Sequence, residues 1–227
     1  MTDGLSPTAQ LFDRWAQQGD AERMEVGHGA RARDALAAVP VQPGQRLVDL
    51  GCGNGWATRA LHARAGATGW CYGVDASPDM IARAREQSAN LDRIEFRVAE
   101  FHDLPWPDGH FAHGFSFEAL YYALDLDAAL REVRRVLEPG GTLIVGTDFY
   151  EENDTCHGWP ERMGVPMTLL SEAGWQAALE AAGFEVTRSF RCFDPRPVDP
   201  SWPAEKQARE ARFRRELGTL ALIARNR

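Results

Sequence analysis

Short apolar runs alternate with amphipathic segments along most of the chain. Runs of strand length cover residues 47–50, 69–75, 94–99, 111–117, 142–147, 184–192 and 218–224. Helical periodicity covers residues 8–17, 28–39, 128–137 and 171–182, and two further helices follow the first two strands. Strands that alternate with helices at this spacing form a parallel sheet. The pattern therefore predicts an α/β fold, a doubly wound sheet whose ligands bind at the carboxyl ends of its strands.

Two regions do not follow this alternation. Residues 148–170 form a connection that is too long for a simple turn, which favours a functional loop. Prolines punctuate residues 195–203, and a charged helix is predicted over residues 204–217. Arginines and glutamates interleave along that helix, which favours a solvated face over an anion-binding site.

Composition narrows the class of protein. The 227 residues are 44% apolar and 26% charged, which predicts one domain with a sizeable core and excludes a disordered chain. The longest apolar stretches are too short to span a bilayer, and residues 1–7 lack the apolar segment of an export signal, so we expect a cytoplasmic protein without a membrane partner. The formal net charge of -8 disfavours nucleic acid as a partner.

The cysteines give no indication of a disulfide or a metal site. Cys52, Cys71, Cys156 and Cys192 are scattered and form no CxxC pair, so we expect free thiols. Cys156 and His157 are adjacent, but no second pair of ligands accompanies them at a plausible spacing. No bound metal is predicted.

A glycine-rich loop is the most informative motif. The segment VDLGCGNG, residues 48–55, lies directly between a buried strand and a helix. Free N–H groups at such a helix start can hold an anionic group such as a carboxylate. The spacing is GxGxG, whereas the dinucleotide fingerprint is GxGxxG, and Asp49 would oppose a diphosphate but suit a ligand with an ammonium group. Asp75 ends the second strand, where its carboxylate can accept hydrogen bonds from both ribose hydroxyls.

Four motifs in order resemble those of class I S-adenosylmethionine-dependent methyltransferases of the small-molecule type, with a methyltransferase type 11-like domain. They are VDLGCGNG at 48–55, GVDASPDM at 73–80, VAEFHDLP at 98–105 and VRRVLEPGG at 133–141. The resemblance implies a Rossmann-like doubly wound sheet of seven strands, mostly parallel with the last strand antiparallel and helices on both faces. It also implies S-adenosylmethionine as the cofactor.

The resemblance also implies roles for residues at matching positions. Asp49, Gly51, Gly53 and Gly55 would surround the methionine moiety, Asp75 would hold the ribose, and Ala76 and Met80 would pack on the adenine. Glu100 stands where the family commonly has Asp, and Phe101 would offer a backbone N–H to the adenine. Cys52 and Phe115 complete the expected cofactor-binding set.

The absence of certain motifs disfavours some classes of methyl acceptor. The fourth strand ends in FSFE, residues 115–118, where enzymes that methylate amino groups of nucleic acids have an Asn/Asp-Pro-Pro-Tyr/Phe motif. No Pro-Cys dipeptide is present for attack on a cytosine ring, and Glu118 is a single acid where arginine methyltransferases use a pair. These absences favour a small-molecule acceptor.

Candidate catalytic and acceptor-binding residues follow the fourth and fifth strands. Glu118 is the first candidate for a general base, with Tyr121 beside it, and His157 in the long loop is the second. Candidates for the acceptor pocket or its lid are Trp15, His28, Tyr122, Tyr150 and Trp159. For each of these residues a purely structural role, such as packing or helix capping, remains an alternative.

We therefore expect a single methyltransferase domain over residues 1–227. Residues 1–44 would form a helical cap, 45–148 the cofactor-binding core, and 149–227 the acceptor loop and the rest of the sheet. The predicted function is transfer of a methyl group from S-adenosylmethionine to a small molecule. A non-catalytic module that binds S-adenosylmethionine or S-adenosylhomocysteine, or a nicotinamide-dependent oxidoreductase, remains an alternative, and the oligomeric state stays open.

Overall fold

The computed structural model describes residues 4–227 and shows one seven-stranded sheet. The strands are β1 (Arg46–Leu50), β2 (Trp70–Asp75), β3 (Ile94–Val98), β4 (Phe111–Phe117), β5 (Leu137–Thr147), β6 (Phe184–Cys192) and β7 (Thr219–Asn226). Their order is β3-β2-β1-β4-β5-β7-β6; β7 pairs antiparallel with both β5 and β6, and all the other neighbouring pairs are parallel. The predicted doubly wound sheet with an antiparallel last strand is confirmed. The expectation about an export signal concerns in part residues 1–3, which lie outside the described residues.

Eight α-helices lie within the described residues. They are α1 (Pro7–Gln18), α2 (Asp20–Ala38), α3 (Trp56–Ala65), α4 (Pro78–Gln87), α5 (Leu126–Val136), α6 (Trp159–Met163), α7 (Glu172–Ala181) and α8 (Ala204–Arg212). Side-chain caps begin several of them: Ser77 accepts a hydrogen bond from the Met80 N–H at the start of α4, and Ser171 accepts one from the Gly174 N–H at the start of α7. None of the helices in residues 4–227 has both the length and the apolar character needed to cross a membrane.

The start of α2 was predicted wrongly. This helix begins at Asp20 and not at residue 28, and it continues through Gly27 and Gly29. Glycines weaken a helix, but here a tertiary contact supports the weak turn. The guanidinium of Arg196 donates hydrogen bonds to the carbonyl oxygens of Val26, at 2.6 Å, and Gly27, at 3.1 Å.

Three other predicted boundaries differ from the structure. The fifth strand begins at Leu137 and not at residue 142, because Leu137 already pairs with Phe111 of β4. The connection over residues 148–170 contains α6 and a bridge between Tyr150 and Leu170. The helix predicted over residues 204–217 ends as α8 at Arg212 and continues as a wider π-helical turn, Phe213–Leu217.

The two faces of the sheet are covered by different helices. Val48 and Leu50 of β1 pack into a large core that includes residues of α5 and α7, whereas Leu47 packs with residues of α2 and α3 on the other face. Buried side chains therefore alternate across β1, as they must in a sheet covered on both faces.

The N-terminal helices are attached above the carboxyl ends of the strands. Asp13 of α1 accepts hydrogen bonds from the Ser77 hydroxyl, at 2.5 Å, and from the Asp79 N–H, at 3.1 Å. Glu25 of α2 accepts one from the Asn54 side chain in the glycine loop, at 2.8 Å. These contacts hold the two helices as a cap over the edge where ligands bind in such sheets.

Two glycines give a test of the packing. A Cβ at Gly73 in β2 would lie 2.6 Å from the Phe96 ring, whereas a Cβ at Gly29 in α2 would meet nothing within 4 Å. We expect Gly73→Ala to lower the free energy of unfolding by about 1–3 kcal/mol through overpacking. Gly29→Ala should raise it by about 0.5–1 kcal/mol, because alanine favours the helix. Urea unfolding measures both changes, and equal effects of the two variants would contradict the described packing around β2.

Candidate functional site

The glycine loop after β1 is shaped by two close contacts. Gly51 has φ +75°, and a Cβ there would lie 2.2 Å from the Cβ of Ala119, so the loop can approach the turn after β4 only with glycine. Gly53 has φ +52°, and a Cβ there would meet no atom within 4 Å. Gly51 therefore permits close packing, whereas Gly53 leaves open space at the loop surface.

Asp75 ties this loop to the end of β2. Its carboxylate accepts a hydrogen bond from the Gly53 N–H and another from the Ser77 N–H, both at 2.9 Å. Burial raises the pKa of Asp75 to about 6, although both hydrogen bonds oppose the shift. One carboxylate thus fixes the geometry of the loop and of the turn into α4.

A cleft lies between the glycine loop and the cap. Seven of the predicted cofactor-binding residues line it: Gly51, Cys52, Gly53, Asp75, Ala76, Glu100 and Phe101. The cap contributes Thr8, Phe12, Ala21, Met24 and His28, of which only His28 was predicted. Phe12, Ala21 and Met24 lie on helices where apolar residues are also expected in a core, and Thr8 lies in the first turn of α1, so the sequence offers no signal that marks these four as cleft residues.

Four predicted cofactor-binding residues do not line this cleft. Asp49 lies beneath the loop, where its carboxylate accepts a hydrogen bond from the Thr58 hydroxyl at 2.7 Å, and burial raises its pKa to about 7. Gly55 is the N-cap residue directly before α3, and a Cβ there would lie 2.8 Å from the Phe96 ring.

Met80 and Phe115, the other two, are buried in the hydrophobic core and do not reach the cleft. Met80 is fully buried and packs with Ala16 and Ala21 under the cap. Phe115 is buried in the core between the sheet and α2 and α3, where its ring stacks on Phe117 at 6.1 Å. Phe117, two positions along the strand, lines the cleft.

A second cavity of about 390 Å³ adjoins the cleft. The two share five lining residues: Phe12, Met24, His28, Glu118 and Tyr122. Trp15, Tyr121 and Trp159, three of the residues predicted for catalysis or acceptor binding, line the second cavity alone. Trp15 and His28 from the cap therefore meet Trp159 from the C-terminal half in one place.

Glu118 lies on the wall between the two spaces. It follows β4 directly and has φ +59°, an uncommon conformation for a residue with a side chain. Its backbone N–H donates to the Gly146 carbonyl at 2.9 Å, while its carboxylate accepts hydrogen bonds from the Asp148 N–H and from the Tyr121 hydroxyl, the latter at 3.2 Å. Burial, together with the nearby charge of Asp148, raises the pKa of Glu118 well above its ordinary value.

Asp148 and Arg31 complete this buried group, and neither was among the predicted site residues. Asp148 follows β5 directly, and its carboxylate accepts a hydrogen bond from the Thr219 hydroxyl and pairs with Arg31 Nη2 at 2.7 Å. Burial raises the pKa of Asp148, and the Arg31 charge opposes that shift. Arg31 lies three positions after His28, so both project from one face of α2, a spacing that could have indicated it.

The other predicted residues of this region have different surroundings. Burial lowers the pKa of His28 to about 3, so its ring is neutral at pH 7. The Tyr122 hydroxyl lies 3.3 Å from the Met163 sulfur, and the Trp159 ring stacks on Phe149 with centroids 6.0 Å apart.

His157 and Tyr150 line neither space. His157 is exposed, and its Nε2 lies 2.9 Å from the Glu151 carbonyl oxygen. Tyr150 is buried, and its hydroxyl lies 3.0 Å from the carbonyl oxygens of both Leu217 and Gly218. Within residues 4–227, no group of three or more His, Cys, Asp or Glu side chains is arranged to hold a metal ion.

Comparison with known proteins identifies the family. The model of a family described as a methyltransferase domain matches residues 48–145. Among solved structures, the chain is similar to the presumed methyltransferase in a complex with the Trm112 methyltransferase activator of Haloferax volcanii. The two are 35% identical with a TM-score of 0.88, and the match covers 95% of this chain and 97% of that one.

Curated relatives match over shorter shares of their length. Malonyl-[acyl-carrier protein] O-methyltransferase of Halorhodospira halophila is 40% identical over 117 residues, which are 52% of this chain and 39% of that protein. 24-Methylenesterol C-methyltransferase 2 of Oryza sativa subsp. japonica is 33% identical over 202 residues, 84% of this chain and 54% of that protein. The chain thus spans between about two fifths and just over half of the length of these relatives. The strand order of the sheet, the glycine loop and these matches together show that the chain belongs to the class I S-adenosylmethionine-dependent methyltransferases.

Proposed function

We propose that the protein transfers the methyl group of S-adenosylmethionine to a small molecule that binds in the second cavity. The observation that carries this proposal is the wall shared by the cleft and the second cavity. Methyl transfer is an in-line displacement, so donor and acceptor must approach each other from opposite sides of the methyl group. Two adjoining spaces that meet at Glu118, His28 and Tyr122 suit this requirement.

The residues of the cleft fit the cofactor. Gly53 presents open space and backbone to the ligand, and the Asp75 carboxylate is positioned to accept hydrogen bonds from the ribose hydroxyls in addition to those from Gly53 and Ser77. Glu100 and Phe101, from the turn after β3, would face the adenine. When bound, S-adenosylmethionine supplies an electrophilic methyl group on a sulfonium ion.

Glu118 is the residue that we propose to take a proton from the acceptor. It lines both spaces, and its raised pKa brings its carboxylate closer to the range in which a general base works at neutral pH. Tyr121 holds one carboxylate oxygen and the Asp148 N–H holds the other. His157 and Tyr150 have no part in this proposal, because neither reaches the second cavity.

The names of the relatives support methyl transfer, but they do not agree on a single kind of acceptor. Their names give a malonyl group on an acyl-carrier protein and a sterol as acceptors, which differ in size and charge. The residues around the second cavity, and not the family, must therefore select the acceptor. A cofactor-binding module without turnover remains the alternative, and it predicts binding of S-adenosylhomocysteine without methyl transfer.

The similarity to the Haloferax volcanii chain supports a second proposal, which concerns a partner. That protein was solved in complex with the activator Trm112, and the match to it extends over 97% of its length. We propose that this chain also assembles with a protein of the Trm112 type. Co-expression with Haloferax volcanii Trm112 followed by size-exclusion chromatography tests this, and separate elution of the two proteins counts against it.

Asp75 gives the test of the cofactor site. We expect Asp75→Asn to weaken binding of S-adenosylhomocysteine about ten- to a hundred-fold, the range for hydrogen bonds to a charged group. In the wild type, affinity should fall about ten-fold from pH 7 to pH 5, because Asp75, with a pKa of about 6, must lose its proton before it can accept from both hydroxyls. Titration calorimetry over this pH range measures both effects.

Asp92, an exposed acid before β3, provides the matched control. Asp92→Asn should leave the affinity and its pH dependence unchanged, whereas Asp75→Asn should lose the part of the pH dependence that Asp75 causes. Equal affinity of the wild type and both variants would contradict a cofactor site at the end of β2.

Glu118 gives the test of catalysis. We expect Glu118→Gln to lower transfer of labelled methyl groups from S-adenosylmethionine into a metabolite extract by at least about a hundred-fold, the lower range for loss of a general base. Affinity for S-adenosylhomocysteine should change little, because the cleft keeps its other contacts. The wild-type rate should rise with pH through the raised pKa of Glu118, and the variant should lose this rise.

Glu151→Gln is the control, since Glu151 is exposed and lies outside both spaces. Full turnover by Glu118→Gln would show that the carboxylate has only a structural role. Absence of transfer by the wild type, despite binding of S-adenosylhomocysteine, would favour the non-catalytic module.

A further inference from the structure

The acidic side chains that line the second cavity are already paired. Asp148 is held by Thr219 and Arg31. Glu118 accepts hydrogen bonds from Tyr121 and from a backbone N–H. Glu210 accepts a hydrogen bond from Arg214 at 2.8 Å. Each of these three carboxylates therefore already has at least one donor or cation of the protein as a partner.

The arginines that line the same cavity, in contrast, have donors or charges without a partner in the part of the chain that the structure describes. Arg31 places only Nη2 within ion-pair distance of a carboxylate, and its buried Nε has no hydrogen-bond partner among residues 4–227. Arg162 and Arg209 are exposed, line the cavity, and form no ion pair with any carboxylate of the described chain. The arginines therefore present N–H donors without a partner in the described residues, and Arg162 and Arg209 carry positive charges that no ion pair offsets.

Arg31 is held in place before any ligand binds. Its guanidinium lies 5.4 Å from the centre of the Phe213 ring and pairs with Asp148 on another side, and only 12% of its side chain is exposed. An arginine that is already oriented loses little conformational entropy when it binds a carboxylate or a phosphate. The unused donors of Arg31 are therefore well suited to an anionic group.

The remaining walls of the cavity are largely apolar and aromatic. Trp15 and Tyr122 line it from the cap and the turn after β4, and Trp159 and Met163 line it from α6. A ligand with an apolar body would bury apolar surface there. If that ligand were neutral, it would leave the arginine donors without partners, which costs free energy in a desolvated site.

From these observations we propose that the methyl acceptor is a small amphipathic anion. Its carboxylate or phosphate binds Arg31, with Arg162 and Arg209 adding positive charge, and its apolar body packs against Trp15 and Trp159. This arrangement would direct the reacting atom of the acceptor towards Glu118. The inference rests on the proposed methyl transfer and adds the chemical class of the acceptor.

Fractionation of a metabolite extract provides the test. The extract is separated on an anion-exchange column, and each fraction is incubated with the protein and methyl-labelled S-adenosylmethionine. We expect at least ten-fold more label to be transferred in the retained fractions than in the flow-through. Treatment of the retained fractions with phosphatase distinguishes the two sources of charge, because only a phosphate-bearing acceptor would then lose its activity.

Arg31→Gln identifies the residue responsible, and Arg33→Gln is the matched control on the same helix, since the Arg33 side chain is 67% exposed and lines neither space. Arg31→Gln should lower transfer in the retained fractions at least ten-fold, through a higher KM, and leave affinity for S-adenosylhomocysteine unchanged. Arg31→Lys, which keeps the charge beside Asp148, should restore part of the transfer and serves if the glutamine variant does not fold.

Two outcomes overturn the inference while methyl transfer stands. One is label transfer mainly in the flow-through, and the other is an equal effect of Arg31→Gln and Arg33→Gln. Absence of transfer in every fraction, with S-adenosylhomocysteine still bound, contradicts the proposed function itself and therefore also the acceptor class that rests on it.

Discussion

The parallel alignment of four neighbouring strands is the constraint on which the site depends. Because β1, β2, β4 and β5 run in the same direction, their carboxyl ends meet at one edge of the sheet. β1 leads into the glycine loop, β2 ends at Asp75, and Glu118 and Asp148 follow β4 and β5 directly. The backbone hydrogen bonds of the sheet therefore fix the spacing of the strand ends that carry these groups.

This arrangement places three carboxylates out of water, which is unfavourable unless each is paired. Asp75 meets the requirement with two backbone N–H groups, and Asp148 meets it with a hydroxyl and a guanidinium. For Glu118, the like charge of Asp148 adds to the effect of burial, and together they raise its pKa well above the ordinary value. Perturbed carboxyl groups of this kind concentrate at functional sites, in agreement with a role for Glu118 at the boundary of the two spaces.

The second cavity differs from the cleft in how it is built. The cleft is formed by the strand ends and the cap. The second cavity is also lined by α6, by α8 and by the turn that follows α8, and α6 is about 40 residues from α8 in sequence. The cap contributes to both spaces and is attached to the core through Asp13 and Glu25. Under the proposed function, acceptor selection would depend on the least regular parts of the chain, and cofactor binding would depend on the most regular part.

What the sequence determined by itself is the local part of this picture. The seven strands, the glycine loop and Asp75 follow from apolar periodicity and from turn chemistry over short stretches, and the motif order indicated the family. Only the tertiary structure decided that Met80 and Phe115 are core residues, that Tyr150 and His157 lie away from the cavity, and that Arg31 pairs with Asp148. Periodicity states that a position is apolar or on a given face, but it does not state which distant segment covers that face. An ion pair between residues 31 and 148 follows from the packing of the cap on the sheet, which no local pattern encodes.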